Sequence, residues 1–234
     1  HGGGWVYGDK ELYQFYCMSL TQRGFAVVNF SYRLAPDSKF PAQVEDINEV
    51  FGWVLKNREE YGFDRKNIFA VGDSAGAHLL GVYANILTNG SYAKRYPFKT
   101  PKKLKLRAIA LNCGKYDMAW KNDSDPSLKT ILKKDLLPGG ATKKERELIG
   151  VHGHVTEDFP PAVIMTCPGD FLMSQAILMV KALEKNRVPF RYIFYESKEE
   201  QLFHVFHVNM RLKAAAAVND EECEFFRRMM KEDQ

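Results

Sequence analysis

Gly72-Asp73-Ser74-Ala75-Gly76 stands between Asn67 to Val71, a short β-branched and aromatic run, and Ala75 to Leu87, an apolar helix-forming stretch. A serine at a strand-to-helix turn needs small neighbours two residues to either side, because side chains there would collide with the strand and helix that the turn joins. The turn exposes the serine hydroxyl, and the helix N-terminus behind it favours developing negative charge. The same five residues also suit a plain glycine-rich helix cap, so the pattern by itself does not separate catalysis from capping.

The rest of the chain repeats the strand-then-helix order. Phe25 to Tyr32, Asn67 to Val71, Leu106 to Cys113, Ala162 to Cys167 and Phe190 to Tyr195 read as buried strands. Ile47, Val50, Phe51, Val54 and Leu55 fall on one stripe of a helix that follows Pro41 and ends near Gly62, and a further helix spans about Ser174 to Asn186. The order predicts an α/β fold, a mostly parallel sheet with helices on both faces, in a single domain over residues 1–234. Residues 115–159, polar and lysine-rich without a clear strand, are longer than an ordinary connection and predict a lid insertion over the C-terminal edge of the sheet. Arg211 to Met230, with Phe225, Phe226 and Met229, predicts a closing amphipathic helix.

Bulk properties exclude several classes. At 45% hydrophobic and 26% charged residues, 234 residues suffice for one sizeable core. A net charge of +4, with a loose basic cluster from Lys94 to Arg107, is too mild to argue for nucleic acid. Cys17, Cys113, Cys167 and Cys223 are widely spaced, which predicts reduced thiols and neither a zinc site nor a disulfide framework. No run approaches the roughly 20 apolar residues of a membrane span. The chain opens on His1 within a motif, so an N-terminal part of the natural protein is expected to be absent; a cytoplasmic location is expected, with export left open.

His1-Gly2-Gly3-Gly4-Trp5 adds what a serine nucleophile needs beside it. A tetrahedral oxyanion requires backbone N–H donors at close range, and glycines let the backbone approach without a Cβ. Gly2, Gly3 and Ala75 are the expected donors. For the base, His1 belongs to this loop, His78 sits one turn into the serine helix, and His152 and His154 lie in the insertion. His204, in a loop after the last strand, is preferred, with His207 as the alternative. Asp170 follows a strand through Pro168-Gly169, a turn that presents a side chain at a sheet's C-terminal edge; Asp117 and Glu196 are further possibilities, and Asp73 cannot easily turn back to a histidine bound to Ser74. The order Ser74, Asp170, His204 is the one this architecture uses. His152-x-His154 lacks a third ligand nearby and reads as a solvated loop rather than a metal pair. Trp5, Tyr7, Phe40 and Trp120 are left unassigned between acyl pocket and core.

HGGGW at 1–5, SYRLAPDSKFPAQVED at 31–46, GDSAG at 72–76, GDFL at 169–172 and HVF at 204–206 together resemble the hormone-sensitive-lipase-like family of bacterial esterases within the α/β hydrolases. The resemblance implies an α/β-hydrolase fold and a serine esterase acting on short-chain acyl esters without metal or organic cofactor. It also implies that Tyr32, Arg33, Pro36, Pro41, Glu45 and Asp46 brace the active-site loops. The family usually continues GDSAGG where this chain has Ala77-His78, a variant shared with related acetyl-ester hydrolases and kynurenine-formamidase-like enzymes. A small-molecule ester, acetylated carbohydrate included, is the expected partner. A polysaccharide acetyl esterase or aryl-formamidase on the same three residues is one alternative, and a non-catalytic ligand-binding protein of the same fold is another. The family's first sheet strands, including an interior one, and its N-terminal cap are expected to be missing from this stretch.

Overall fold

Four of the five apolar runs read as strands pair into one parallel sheet. The structure, a computed structural model, describes residues 1–119 and 126–230. After a 3-10 turn at Lys10–Tyr13, the order is α1 (Gln14–Gln22), α2 (Ala42–Lys56), α3 (Arg58–Tyr61), β1 (Ile68–Asp73), α4 (Ala75–Thr88), α5 (Gly90–Ala93), β2 (Leu106–Asn112) and α6 (Pro126–Thr130). It continues through a π-helical turn at Ile131–Leu136, α7 (Lys143–Ile149), β3 (Ala162–Thr166), α8 (Met173–Lys185), β4 (Phe190–Phe194) and α9 (Lys213–Met229). The strands lie side by side in sequence order, each parallel to the next.

Alternation along the strands sends side chains to two cores. Ile109, Leu111 and Ile164 face a large core with Val44 and Ile47 of α2, Leu79, Val82 and Tyr83 of α4, and Met179 and Leu183 of α8. Ala108, Ala110, Val163, Met165 and Ile193 face the opposite side, where Ala214, Val218 and Phe226 of α9 cover them. The central strands β2 and β3 are therefore covered on both faces, as parallel strands require, while Arg191 and Phe194 of the edge strand β4 are exposed. Among the described residues no helix is long and apolar enough to cross a membrane.

Two elements depart from the sequence reading. Phe25 to Tyr32, expected as a strand, joins no ladder. A β-branched run becomes a strand only with a second backbone about 4.8 Å away, and here residues 24–30 pair with no strand and, like residues 67–73, line a cavity of about 680 Å³. Helix α1 was not anticipated, because its apolar residues form no single stripe: Tyr16 and Leu20 are buried while Phe15 and Met18 are 70% and 52% exposed.

The insertion is helical within its described part and is anchored at both ends. Gln175 Oε1 of α8 accepts from the backbone N–H of Tyr116 and Asp117 at 3.1 and 2.8 Å. Asn85 of α4 donates to the Val151 carbonyl at 2.9 Å. Trp120 lies outside the described residues.

Glu222 of α9 ties three elements together, accepting from Tyr16 Oη of α1 at 3.2 Å and from Asn112 Nδ2 of β2 at 2.7 Å. Burial pushes its carboxyl up to about 7 from an ordinary 4.5, against the lowering effect of the two hydrogen bonds. A carboxyl raised in the fold contributes stability below its unfolded value and loses it as pH rises through the folded one. Glu222→Gln keeps the shape without the charge. Its stability relative to the wild type should therefore grow from pH 5 to pH 8, by on the order of 1 to 3 kcal/mol; parallel melting curves at the two pH values, with no change in the difference, would refute this.

Candidate active site

Ser74 sits at the junction of β1 and α4 with φ 53° and ψ −117°, a strained backbone for a residue with a Cβ. The glycines around it are required by contact. A Cβ on Gly72 would lie 2.7 Å from the Gly76 backbone, and one on Gly76 would lie 2.7 Å from the His1 carbonyl oxygen. The second contact was not foreseen: Gly76 is small to admit the glycine-rich loop, not the strand.

The structure brings Ser74, His204 and Asp170 together. His204 Nε2 accepts from Ser74 Oγ at 2.9 Å, and His204 Nδ1 donates to Asp170 Oδ1 at 2.6 Å. His204 is presented by the loop after β4, beside Val205 in the left-handed region. His207, the alternative base, is buried in the following 3-10 turn, packed edge-on against Tyr16 and away from Ser74. Glu196 is exposed, and Asp117 turns back to cap the Ala119 N–H at 2.9 Å.

Asp170 accepts two further hydrogen bonds, from Thr166 Oγ1 at 2.7 Å and from the Leu172 N–H at 2.9 Å. Burial alone raises a carboxyl, but the bonds from His204, Thr166 and Leu172 outweigh it and hold Asp170 below its ordinary value. The Cys113 thiol, itself pushed well up by burial and by the Asp170 charge, lies within 4.8 Å of this carboxylate. Cys113 is another strained position, with φ 49° at the end of β2. Neither Thr166 nor Cys113 was singled out from the sequence; Thr166 lies one helical turn's length before Asp170, a weak signal at best.

Of the expected oxyanion donors, Gly2 needs correction. Its N–H donates to Tyr13 Oη at 2.8 Å, and Tyr13 in turn donates to Asp73 Oδ2 at 2.8 Å. The N–H groups of Gly3 and Gly4 donate to no acceptor among the described residues, and Gly4 lines the small pocket at Ser74. Ala75, as the first residue of α4, likewise has an N–H without an intrahelical acceptor. Gly3, at φ 110°, admits no Cβ, since one would lie 2.0 Å from the Tyr7 carbonyl oxygen.

The pocket at Ser74 encloses about 170 Å³ and is bordered by Gly4, Trp5, Ala75, Phe171 and Leu172, with Lys115, Ser127, Leu128 and Ile131 contributed by the insertion. The cavity of about 680 Å³ beside β1 does not include Ser74 in its lining, whereas the smaller pocket does, with neither Asp170 nor His204 on its wall. Of the unassigned aromatics, Trp5 lines the pocket, Phe40 is core and Tyr7 is exposed. Of the residues that the resemblance assigns as braces, four are engaged in side-chain bonds. Arg33 bonds Asp46 at 2.8 Å and Glu45 at 3.0 Å, and Tyr32 Oη donates to the His1 carbonyl at 2.9 Å. His152 and His154 bond the separate carbonyls of Tyr116 and Glu147.

Thr166→Val removes one donor to Asp170 while keeping the shape. The Asp170 pKa should rise, so the His204–Asp170 bond should be lost at a higher pH on acidification than in the wild type. The downfield Nδ1 proton of His204, followed by NMR against pH, reads this directly; an unchanged midpoint would show that Thr166 contributes nothing to the carboxylate.

Comparison with known proteins identifies the family. A model of the α/β hydrolase fold family matches residues 1–208. Versiconal hemiacetal acetate esterase of Dothistroma septosporum is 27% identical over 223 residues, covering 83% of this chain and 62% of that protein. Ethyl acetate hydrolase of Pseudomonas putida is 36% identical over 88 residues, 37% of this chain and 28% of that one. The chain thus spans less than two thirds of the length of these relatives. Esterase B of Lactobacillus rhamnosis superposes with a TM-score of 0.87 at 26% identity, covering 98% of this chain and 74% of that one. Its form inhibited by a C4-C4 tributyrin phosphonate gives 0.86 at 27% identity, with the same coverage. With the family matched over most of its length and its fold shared with solved esterases, this chain belongs to the α/β hydrolase fold family.

Proposed function

We propose that this chain is the catalytic domain of a serine carboxylester hydrolase that cleaves short-chain acyl esters through an acyl-enzyme. The observation that carries the reading is the continuous hydrogen-bonded line from Ser74 Oγ through His204 to Asp170, at 2.9 and 2.6 Å. Ser74 Oγ attacks the ester carbonyl carbon as His204 Nε2 takes its proton. The carbonyl oxygen becomes an oxyanion, held by the N–H groups of Gly3, Gly4 and Ala75. When the tetrahedral species collapses, the alcohol leaves with the proton from Nε2. Water then attacks the acyl carbon, passes its proton to His204, and the acid departs as Ser74 recovers its hydrogen. Asp170 keeps Nδ1 protonated and stabilises the imidazolium at each stage; it does not itself take the proton.

The short-chain preference is supported by the size of the pocket. About 170 Å³ is well below the roughly 300 to 1,000 Å³ of sites that bury drug-sized ligands. The insertion 115–159 acts as its cover, through Ser127, Leu128 and Ile131. The four cysteines are unpaired, as suits a reducing, cytoplasmic setting. The arrangement calls on no cofactor, and the substrate is a small ester, acetylated carbohydrate among the candidates.

Hydrolysis of p-nitrophenyl acetate, butyrate and octanoate tests the reading. The acetate and butyrate should be preferred, and Ser74→Ala should lower turnover by on the order of 10⁴ or more. Full activity in Ser74→Ala would sink the mechanism, and a preference for octanoate would sink the chain-length assignment.

A further inference from the structure

The oxyanion loop is pinned on both sides of the two glycines whose N–H groups stay free. Before them, Gly2 is held by Tyr13. After them, the Trp5 indole is buried, with 1% exposure, and its Nε1 donates to His78 Nδ1 at 3.0 Å. An indole N–H is a donor only, so His78 Nδ1 is the acceptor and the ring proton sits on Nε2. Nε2 then donates to the Ile149 carbonyl at 2.9 Å, at the end of α7 in the insertion. His78 is fully buried, four residues after Ser74 on the same helix, and its N–H donates to the Ser74 carbonyl at 3.1 Å. Both ring nitrogens are thus used, one on the oxyanion loop and one on the cover.

We propose that His78 is a positioning residue for the oxyanion hole: its ring clamps the Trp5 indole, and through it the backbone of Gly3 and Gly4, to the serine helix and to the cover. The inference rests on the esterase reading above. A neutral imidazole fits the role because it offers one acceptor and one donor on opposite edges of a rigid ring. The catalytic chemistry itself leaves His78 unused. Without the clamp the loop keeps its backbone bonds, Ala35 N–H to the Trp5 carbonyl at 2.9 Å and Tyr7 N–H to the Gly3 carbonyl at 3.0 Å, but the indole is free to shift in its pocket.

Three variants separate the clamp from simple packing. His78→Leu keeps bulk and loses both bonds; Trp5→Phe keeps a ring and loses the donor; His78→Gln restores an acceptor and a donor on one amide. On p-nitrophenyl acetate, His78→Leu and Trp5→Phe should each lower kcat about 10- to 100-fold, a fraction of what a lost oxyanion donor costs, with KM changed less than about threefold. The double variant should be no worse than His78→Leu alone, because the two act through one bond. His78→Gln should recover most of kcat, and the tributyrin phosphonate should inactivate His78→Leu more slowly by the same factor as kcat falls. Independently of activity, exchange of the Trp5 indole proton should be slow in the wild type and in His78→Gln and fast in His78→Leu. Additive losses, wild-type kcat in a folded His78→Leu, or unchanged indole exchange would each overturn the proposal. If His78→Leu does not fold, Trp5→Phe and His78→Gln carry the same decision. A wild type that, like Ser74→Ala, hydrolyses no ester would instead count against the esterase reading, and the indole exchange would still judge the clamp.

Discussion

Everything at the site depends on the turn at Ser74, where the chain leaves β1 and enters α4 in a conformation that a side chain resists. Strain of this kind persists only where surrounding contacts over-determine it. Here the Ser74 N–H is held by the Asn112 carbonyl of β2 at 2.9 Å, and its own carbonyl is held by the His78 N–H at 3.1 Å. Gly72 and Gly76 then let the helix approach the strand, and the loop of His1 approach the helix, at distances no Cβ would allow. The strained residue is thereby fixed against the sheet on one side and the glycine loop on the other. Its hydroxyl has one direction left, toward His204.

That fixed hydroxyl is useful because the charges behind it are arranged to stay put. A buried carboxylate without partners would take up a proton rather than remain ionised. Asp170 instead accepts from three donors, the His204 ring, the Thr166 hydroxyl and the Leu172 amide. Glu222, elsewhere in the same core, shows the opposite outcome: two hydrogen bonds do not offset complete burial, and its carboxyl is pushed up to about 7. Asp170 has one more hydrogen-bond donor than Glu222, has the His204 ring beside it, and is the less deeply desolvated of the two. His78 and His207 give the cationic counterpart, each pushed down to about 4 chiefly by burial and so kept neutral in the fold.

How much of this the sequence discloses follows from the range of each interaction. The serine turn and the order of Ser74, Asp170 and His204 were legible, because the first is local and the others stand at strand ends that apolar runs mark out. Four strands and the principal helices were legible for the same reason. The strand reading of Phe25 to Tyr32 failed because pairing is a property of two backbones, and the run's composition says nothing about whether a neighbour lies within reach. Gly2 was misread because its N–H looks free until Tyr13 arrives from the next turn of chain. Thr166 and Cys113 were invisible, as their importance comes from folding against Asp170 and not from any motif. His78 was seen, but set aside as a helix residue; only the donor-only chemistry of the Trp5 indole reveals what its ring is for.

The glycine loop contributes residues to two spaces of different size. His1 borders the cavity of about 680 Å³ together with Tyr13 and Asp73; Gly4 and Trp5 border the pocket of about 170 Å³ that meets Ser74. The loop is held at two points. Tyr13 grips from the larger space, joining Gly2 to Asp73, the residue before the serine. His78 grips from the helix, joining Trp5 to the cover. Both grips end on α4 or on the turn that starts it, so a displacement of the serine helix carries the loop with it. The distance between the Ser74 hydroxyl and the amides of Gly3 and Gly4 is then set by one unit, as the proposed stabilisation of an oxyanion would require.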